Sequence, residues 1–248
     1  MIFDRIVIFL DLFNKKIMST INIDKIKIRI IILLSFFILM GMSIDLFAPS
    51  LPGISSSLNI SASTSKMVIS MYLIGYALGN FIIGIITDAI GRRTLLRASC
   101  VLFIIVSVLP PLIPNEYVLL VVRFFQGFLM GAMGVLSRGI FSDILPPERL
   151  LRFGPTIGFL WGVGPIIGPI IGGFLQEYFG WKSGFYFFAI ITFVITILVF
   201  IYIPETIVKK SELKLSQIYI NIAEVVSNRQ FISLCIVMGV AILYGDKF

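Results

Sequence analysis

Apolar runs of about twenty residues recur along the chain, at roughly 30–50, 67–87, 94–113, 117–141, 155–176 and 184–203, with short polar breaks between them. Each is long enough to cross a hydrocarbon core about 30 Å thick at about 1.5 Å of rise per helical residue. Helices satisfy their backbone within the segment, which lipid demands, so the pattern predicts six membrane helices. A seventh apolar run from Phe231 to Tyr244 stops at Asp246-Lys247-Phe248. It is short for a crossing and is expected to be an incomplete seventh helix. The break Gly84-Ile-Ile-Thr-Asp88-Ala-Ile-Gly91-Arg92-Arg93 packs one acid, two arginines and two glycines into a turn. Such charges must leave the hydrocarbon, and so short a turn sets its two helices antiparallel.

Helical spacing also sorts the residues within spans. Tyr72, Tyr76 and Asn80 follow at i, i+4 and i+8 and share one face, which either lines a cavity for amphipathic or cationic compounds or packs as an ordinary helix face. Two glycine series, Gly154, Gly158, Gly162 and Gly164, Gly168, Gly172, are each spaced by four. Small faces let helices approach closely in lipid, while Pro165 and Pro169 bend the helix that carries them. The expectation is a packing face that doubles as a pliable seam.

Composition removes several function classes. With 58% hydrophobic and 13% charged residues among 248, a water-soluble domain is excluded. Histidine is absent and the two cysteines, Cys100 and Cys235, lie in separate apolar runs without metal-ligand spacing, so both read as packing residues and enzyme chemistry is not expected. The glycine-rich stretches lack a Gly-Lys-Ser or Gly-Lys-Thr ending, which argues against ATP and for an ion gradient as energy source. A formal charge of +7 is explained by its placement. With the N-terminus cytoplasmic, sixteen Lys and Arg fall on the inner side and only Lys66 and Lys182 on the outer, as the positive-inside rule requires, and no nucleic-acid role remains. Residues 1–13 are too short to span and lack a cleavage site; they form either a surface amphipathic helix or an extension upstream of a start at Met18.

Two charges remain inside the spans. An acid such as Asp45 in an apolar helix costs roughly 2.5–3.5 kcal/mol on insertion scales, so it needs a function or a partner. Counting rise per residue puts Asp45 roughly 22 Å and Arg123 roughly 20 Å above the inner edge. Equal depths predict an Asp45–Arg123 contact or a shared cavity. The pair is expected either to couple transport to protons, with substrate competing for the site, or to be a static pair that satisfies two buried charges.

The Gly84, Asp88, Gly91, Arg92, Arg93 loop resembles the signature between the second and third helices of the major facilitator superfamily, with Ala89 where a basic residue is common. Asp45-Leu-Phe-Ala-Pro49-Ser-Leu-Pro52 is similar to the Bcr/CflA drug-resistance branch. Arg123-Phe-Phe-Gln126-Gly127, followed by Arg138 and Asp143, is similar to the superfamily's fourth-helix motif, with Leu129 and Met130 where small residues are usual. Gly164-Pro165-Ile-Ile-Gly168-Pro169-Ile-Ile-Gly172-Gly173 resembles the motif of its antiporters, and Pro204-Glu205-Thr206 is a familiar ending of the sixth helix.

The resemblance implies an all-α polytopic membrane protein with a cytoplasmic segment 1–29, a six-helix N-domain 30–206, an interdomain connector 207–230 and an incomplete seventh helix 231–248. It implies proton-coupled efflux of amphipathic drugs or small metabolites by alternating access, without a cofactor, in a bacterial inner membrane. Gln126 joins Asp45, Arg123, Tyr72, Tyr76 and Asn80 as the expected coupling and substrate group. Asp88 and its arginines are expected to dock on a second six-helix half. The partners are therefore lipid, a small-molecule substrate, and either a missing C-terminal half or a second copy. A nonfunctional remnant of such a transporter, or a nutrient importer of the same superfamily, are the alternatives.

Overall fold

The computed structural model describes residues 25–206 and, beyond them, only 227, 229, 230, 233 and 237. The N-terminal segment through residue 24, most of the connector and of the seventh run, and Cys235 lie outside the described residues. The chain divides into two compact units at Val208 and Lys209. All six spans belong to the first unit, and the described residues of the second are helical.

The first span is broken. Helix α1 covers 25–45, a turn at Leu46 and Phe47 leads into a 3-10 turn at Ala48–Ser50, and α2 follows at Leu51–Leu58. Pro49 and Pro52 each fall in the first turn of the segment they open, where a missing N–H costs nothing. The apolar run read as one span to residue 50 thus ends its first helix five residues early. After Asn59 in the left-handed region, Ser61 caps α3 (Ala62–Ile90) by accepting from the Thr64 amide at 3.0 Å.

Helix α4 (Arg92–Leu112) follows α3 across Gly91 alone, whose φ of 111° suits glycine and makes the turn tight. Asn115 caps α5 (Glu116–Ile144) through its side-chain oxygen, which accepts from the Tyr117 amide at 2.9 Å. Helix α6 (Pro147–Phe179) starts eight residues before the predicted 155, because proline at its first position favours a helix although Glu148, Arg149 and Arg152 lie outside any apolar run. Gly180 at φ 75° ends it, and α7 (Lys182–Tyr202) completes the set. Among the described residues six helical segments are long and apolar enough to cross a membrane, counting α1 and α2 as one.

Alternation of direction makes α3 and α5 parallel, and they meet through glycine. A methyl group on Gly75 or Gly79 would overlap the carbonyl of Phe124 or Phe128, and one on Gly127 or Gly131 the carbonyl of Tyr72 or Tyr76. Two small-xxx-small faces therefore bring the backbones into direct contact. Leu129 and Met130 are buried beside this seam, so the small residues that matter are one register away from the motif's usual places. Phe103 on Phe188 (6.4 Å between centroids) joins α4 to α7, and Phe47 on Phe185 (4.5 Å) joins the break in the first span to α7.

Candidate functional site

Arg123 is the largest fully buried side chain among the described residues, at 1% exposure. It leaves α5 about two turns after the helix begins and reaches toward the break in the first span. Its Nε donates to the Val68 carbonyl at 3.2 Å, one Nη to the Gln126 side-chain oxygen at 3.3 Å and the other to the Ser43 carbonyl at 3.4 Å. The Ser43 carbonyl lies within the last turn of α1, where no further turn supplies a partner, so the guanidinium serves as that helix's C-terminal cap and complements its dipole. Phe47 and Tyr72 rings lie 4.4 and 4.3 Å from the guanidinium carbon and present their π faces to the cation. Gln126 donates onward to Ser107 Oγ at 2.8 Å, and the Tyr72 hydroxyl bonds Ser43 Oγ. Carbonyls, an amide oxygen and two aromatic faces hold this charge.

Asp45 does not. Among the described residues it makes no ion pair with Arg123, so the direct contact expected from equal depths is corrected. Arg123 reaches the Ser43 main-chain carbonyl, which the helix aims along its axis, and not the Asp45 side chain, which leaves the helix sideways. Arg123 nevertheless bonds the chain two residues from Asp45. Asp45 is half-buried at the last helical residue before the break.

Tyr72 takes the second of the two alternatives open for its face. It is wholly buried in the cage around Arg123 rather than lining a cavity. Tyr76 stacks beside it at 6.3 Å and is half-buried, and the Asn80 amide donates to the Tyr76 carbonyl at 2.9 Å. Ser43, Phe47 and Ser107 belong to the network but drew no attention from sequence. A lone hydroxyl inside an apolar run, at 43 and at 107, is the signal that marks two of them.

The second charge cluster lies at the α3–α4 turn. Arg92 donates to Asp143 at 2.7 Å, to the Gly139 carbonyl and to Asp88 at 3.3 Å, tying the loop to the end of α5. The Arg93 amide donates to Glu205 at 3.3 Å, whose carboxylate fills the space where a side chain on Gly91 would go. Arg97 donates to the Phe200 carbonyl at 2.6 Å and Arg29 to the Tyr202 carbonyl at 2.9 Å, so two arginines cap the end of α7. Arg92 thus binds within its own half, while the Asp88 side chain remains 60% exposed. Arg138 lies 5.7 Å over Phe37, apart from this cluster, and Gly84 has only the Val135 methyl nearby.

The two glycine series of α6 separate cleanly. Gly164, Gly168 and Gly172 sit against Gly41, Met42 and Leu46 of the first span, with Pro165 against Gly41. Gly154, Gly158 and Gly162 meet nothing within 4 Å, and neither does Gly173. Pro169 lies inside the helix, which continues through it. Only 17% of this span is buried, against 61% for the first span and for α5.

Six membrane helices arranged around a caged cation, with charged loops at their ends, define a polytopic membrane domain. The chain belongs to the Major Facilitator Superfamily, whose model matches residues 31–245. It is 32% identical over 184 residues to YdgK of Bacillus subtilis, an uncharacterized MFS-type transporter, covering 73% of this chain and 46% of that protein. It is 29% identical to the bicyclomycin resistance protein homolog of Haemophilus influenzae, covering 69% of this chain and 43% of that one. The proton:xylose symporter XylE shares the fold at a TM-score of 0.62 and 18% identity, over 73% of this chain and 45% of XylE. The chain thus spans less than half the length of these relatives.

Proposed function

We propose that this chain is the N-terminal half of a proton-coupled exporter of amphipathic drugs or small metabolites. It works in a bacterial inner membrane with its N-terminus cytoplasmic and requires a second six-helix half. The name of the Haemophilus influenzae relative supports the export of drugs. The observation that carries the coupling is Asp45, among the described residues the one carboxylate inside a span rather than near a span end, half-buried where the first span breaks.

Because carbonyls and rings already hold Arg123, Asp45 keeps its oxygens for a proton or a cationic substrate. A proton on the carboxyl removes its charge, and a cationic compound meets the same oxygens only after the proton leaves. Competition of this kind exchanges one for the other as access alternates. Asn80 and Tyr76 supply polar tips on the neighbouring span.

The test is efflux of a cationic dye from everted vesicles that contain this chain assembled with its second half. Asp45→Asn should abolish the dependence on a proton gradient while dye binding persists. Unchanged gradient-driven efflux in that variant would refute the coupling role, and gradient-driven movement in the opposite direction would identify an importer.

A further inference from the structure

On the membrane side opposite the Arg92 loop, the α6–α7 hairpin holds a groove of about 510 Å³, within the size range of roughly 300–1,000 Å³ typical of small-molecule sites. Leu175 and Phe179 of α6 form one wall, and Phe187 and Ile190 of α7 form the other. Lys182 stands at its rim with Tyr186 below it. From Lys182 to Ile190 the helix descends about 12 Å, from headgroup level into the region of acyl chains.

Lys182 is only half-buried and has no carboxylate partner among the described residues; its ammonium lies 5.8 Å from the Trp181 ring. Glu177, the nearest acid along the chain, is two residues from both Leu175 and Phe179 and so projects from the other side of α6. The Ser183 hydroxyl at the rim is taken up by the Leu175 and Gly180 carbonyls, so one cation above mainly apolar walls is complementary to a molecule with one anionic head and a hydrocarbon tail. Tyr178, Trp181 and Tyr186 all fall within four residues of Lys182 along the chain, as aromatic residues do near the lipid headgroups.

We propose that this groove is a binding site for an anionic phospholipid, with the phosphate on Lys182 and one acyl chain lying between α6 and α7. The site is independent of Asp45 and of the direction of transport. Its occupant is a lipid rather than protein, because one cation at the rim of apolar walls matches an anionic head joined to a hydrocarbon tail.

The full chain carrying Trp161→Phe leaves Trp181 as the sole tryptophan, directly beneath Lys182. In phosphatidylcholine nanodiscs, phosphatidylglycerol with bromines on the upper acyl carbons should quench Trp181 at a lower mole fraction than equally brominated phosphatidylcholine. Lys182→Gln should shrink that preference roughly fivefold, the change expected for one lysine near an anionic headgroup. Lys182→Arg should keep the preference, and so should Lys66→Gln, which removes the other cation expected on that side. Glycerophosphoglycerol, the headgroup without chains, should not relieve the quenching. Equal quenching by both lipids, a preference that survives Lys182→Gln, or relief by the free headgroup would each overturn the proposal. Absence of quenching by either lipid would show that no acyl chain comes within reach of Trp181 and would also overturn it.

Discussion

Two arginines about 30 residues apart in the chain solve opposite problems. Arg92 sits at the membrane edge between two carboxylates, Asp143 at 2.7 Å and Asp88 at 3.3 Å. Arg123 is buried between two aromatic rings and three oxygen acceptors, none of which is charged. At the edge, water shares the cost of each charge, so exposed ion pairs are adjustable and contribute little. At depth a lost acceptor leaves a donor bare in a medium that cannot replace it. The difference teaches that a buried cation need not be matched by a buried anion. Dipoles and π faces can hold it and leave a nearby carboxylate uncommitted.

The largest effect should follow from Arg123→Ala, which strips a cap from α1 and orphans Gln126 together with the Tyr72–Phe47 cage. Heating in detergent, followed by reactivity of the buried Cys100 thiol, should reveal a loss of at least about 2 kcal/mol. Arg123→Lys should rescue only part of this, since one ammonium cannot reproduce the planar fork. A variant as stable as the parent would erase the contrast between the two arginines.

Next in size is Gly127→Leu, whose side chain would meet the Tyr72 backbone beside the cage. The same assay should record a loss of about 1–3 kcal/mol. Asp143→Asn should cost no more than about 1 kcal/mol and should fade at high salt, because this pair is partly exposed. Salt-insensitive destabilisation there would make the edge cluster resemble the buried one. The smallest shift belongs to Asp45→Asn. A change within about 0.5 kcal/mol is expected if Asp45 is not Arg123's partner. A loss comparable to that of Arg123→Ala would instead restore the pair.

Hydrophobic run length was enough to find every described span, because lipid imposes one length and one secondary structure on a crossing. Two boundaries needed more. Helix α6 begins at Pro147 in polar sequence that an apolar count ignores, and the first span breaks after Asp45 although its apolar run continues. The candidate site was legible by residue type and depth but not by direction. Depth brought Arg123 to the right level, whereas its bond to the Ser43 main-chain carbonyl rather than to the Asp45 side chain depends on where the first helix ends. Links such as Arg92 to Asp143 and Arg93 to Glu205 join residues far apart in sequence, and only the folded chain reveals them. Gly75, Gly79, Gly127 and Gly131 match across two parallel helices, a pairing that only the folded chain reveals.

That seam has a mechanical consequence. Backbones in contact through four glycines leave no compliant layer of side chains between α3 and α5. Sliding either helix by one residue would drive a bulky neighbour, such as Tyr76 or Phe128, into the opposing main chain. The two helices therefore form a single stiff beam, carrying Tyr72 and Arg123 at a fixed separation. Any rocking of this domain must turn the beam as a whole, and the give must come from elsewhere, with the sparsely packed α6 the readiest place.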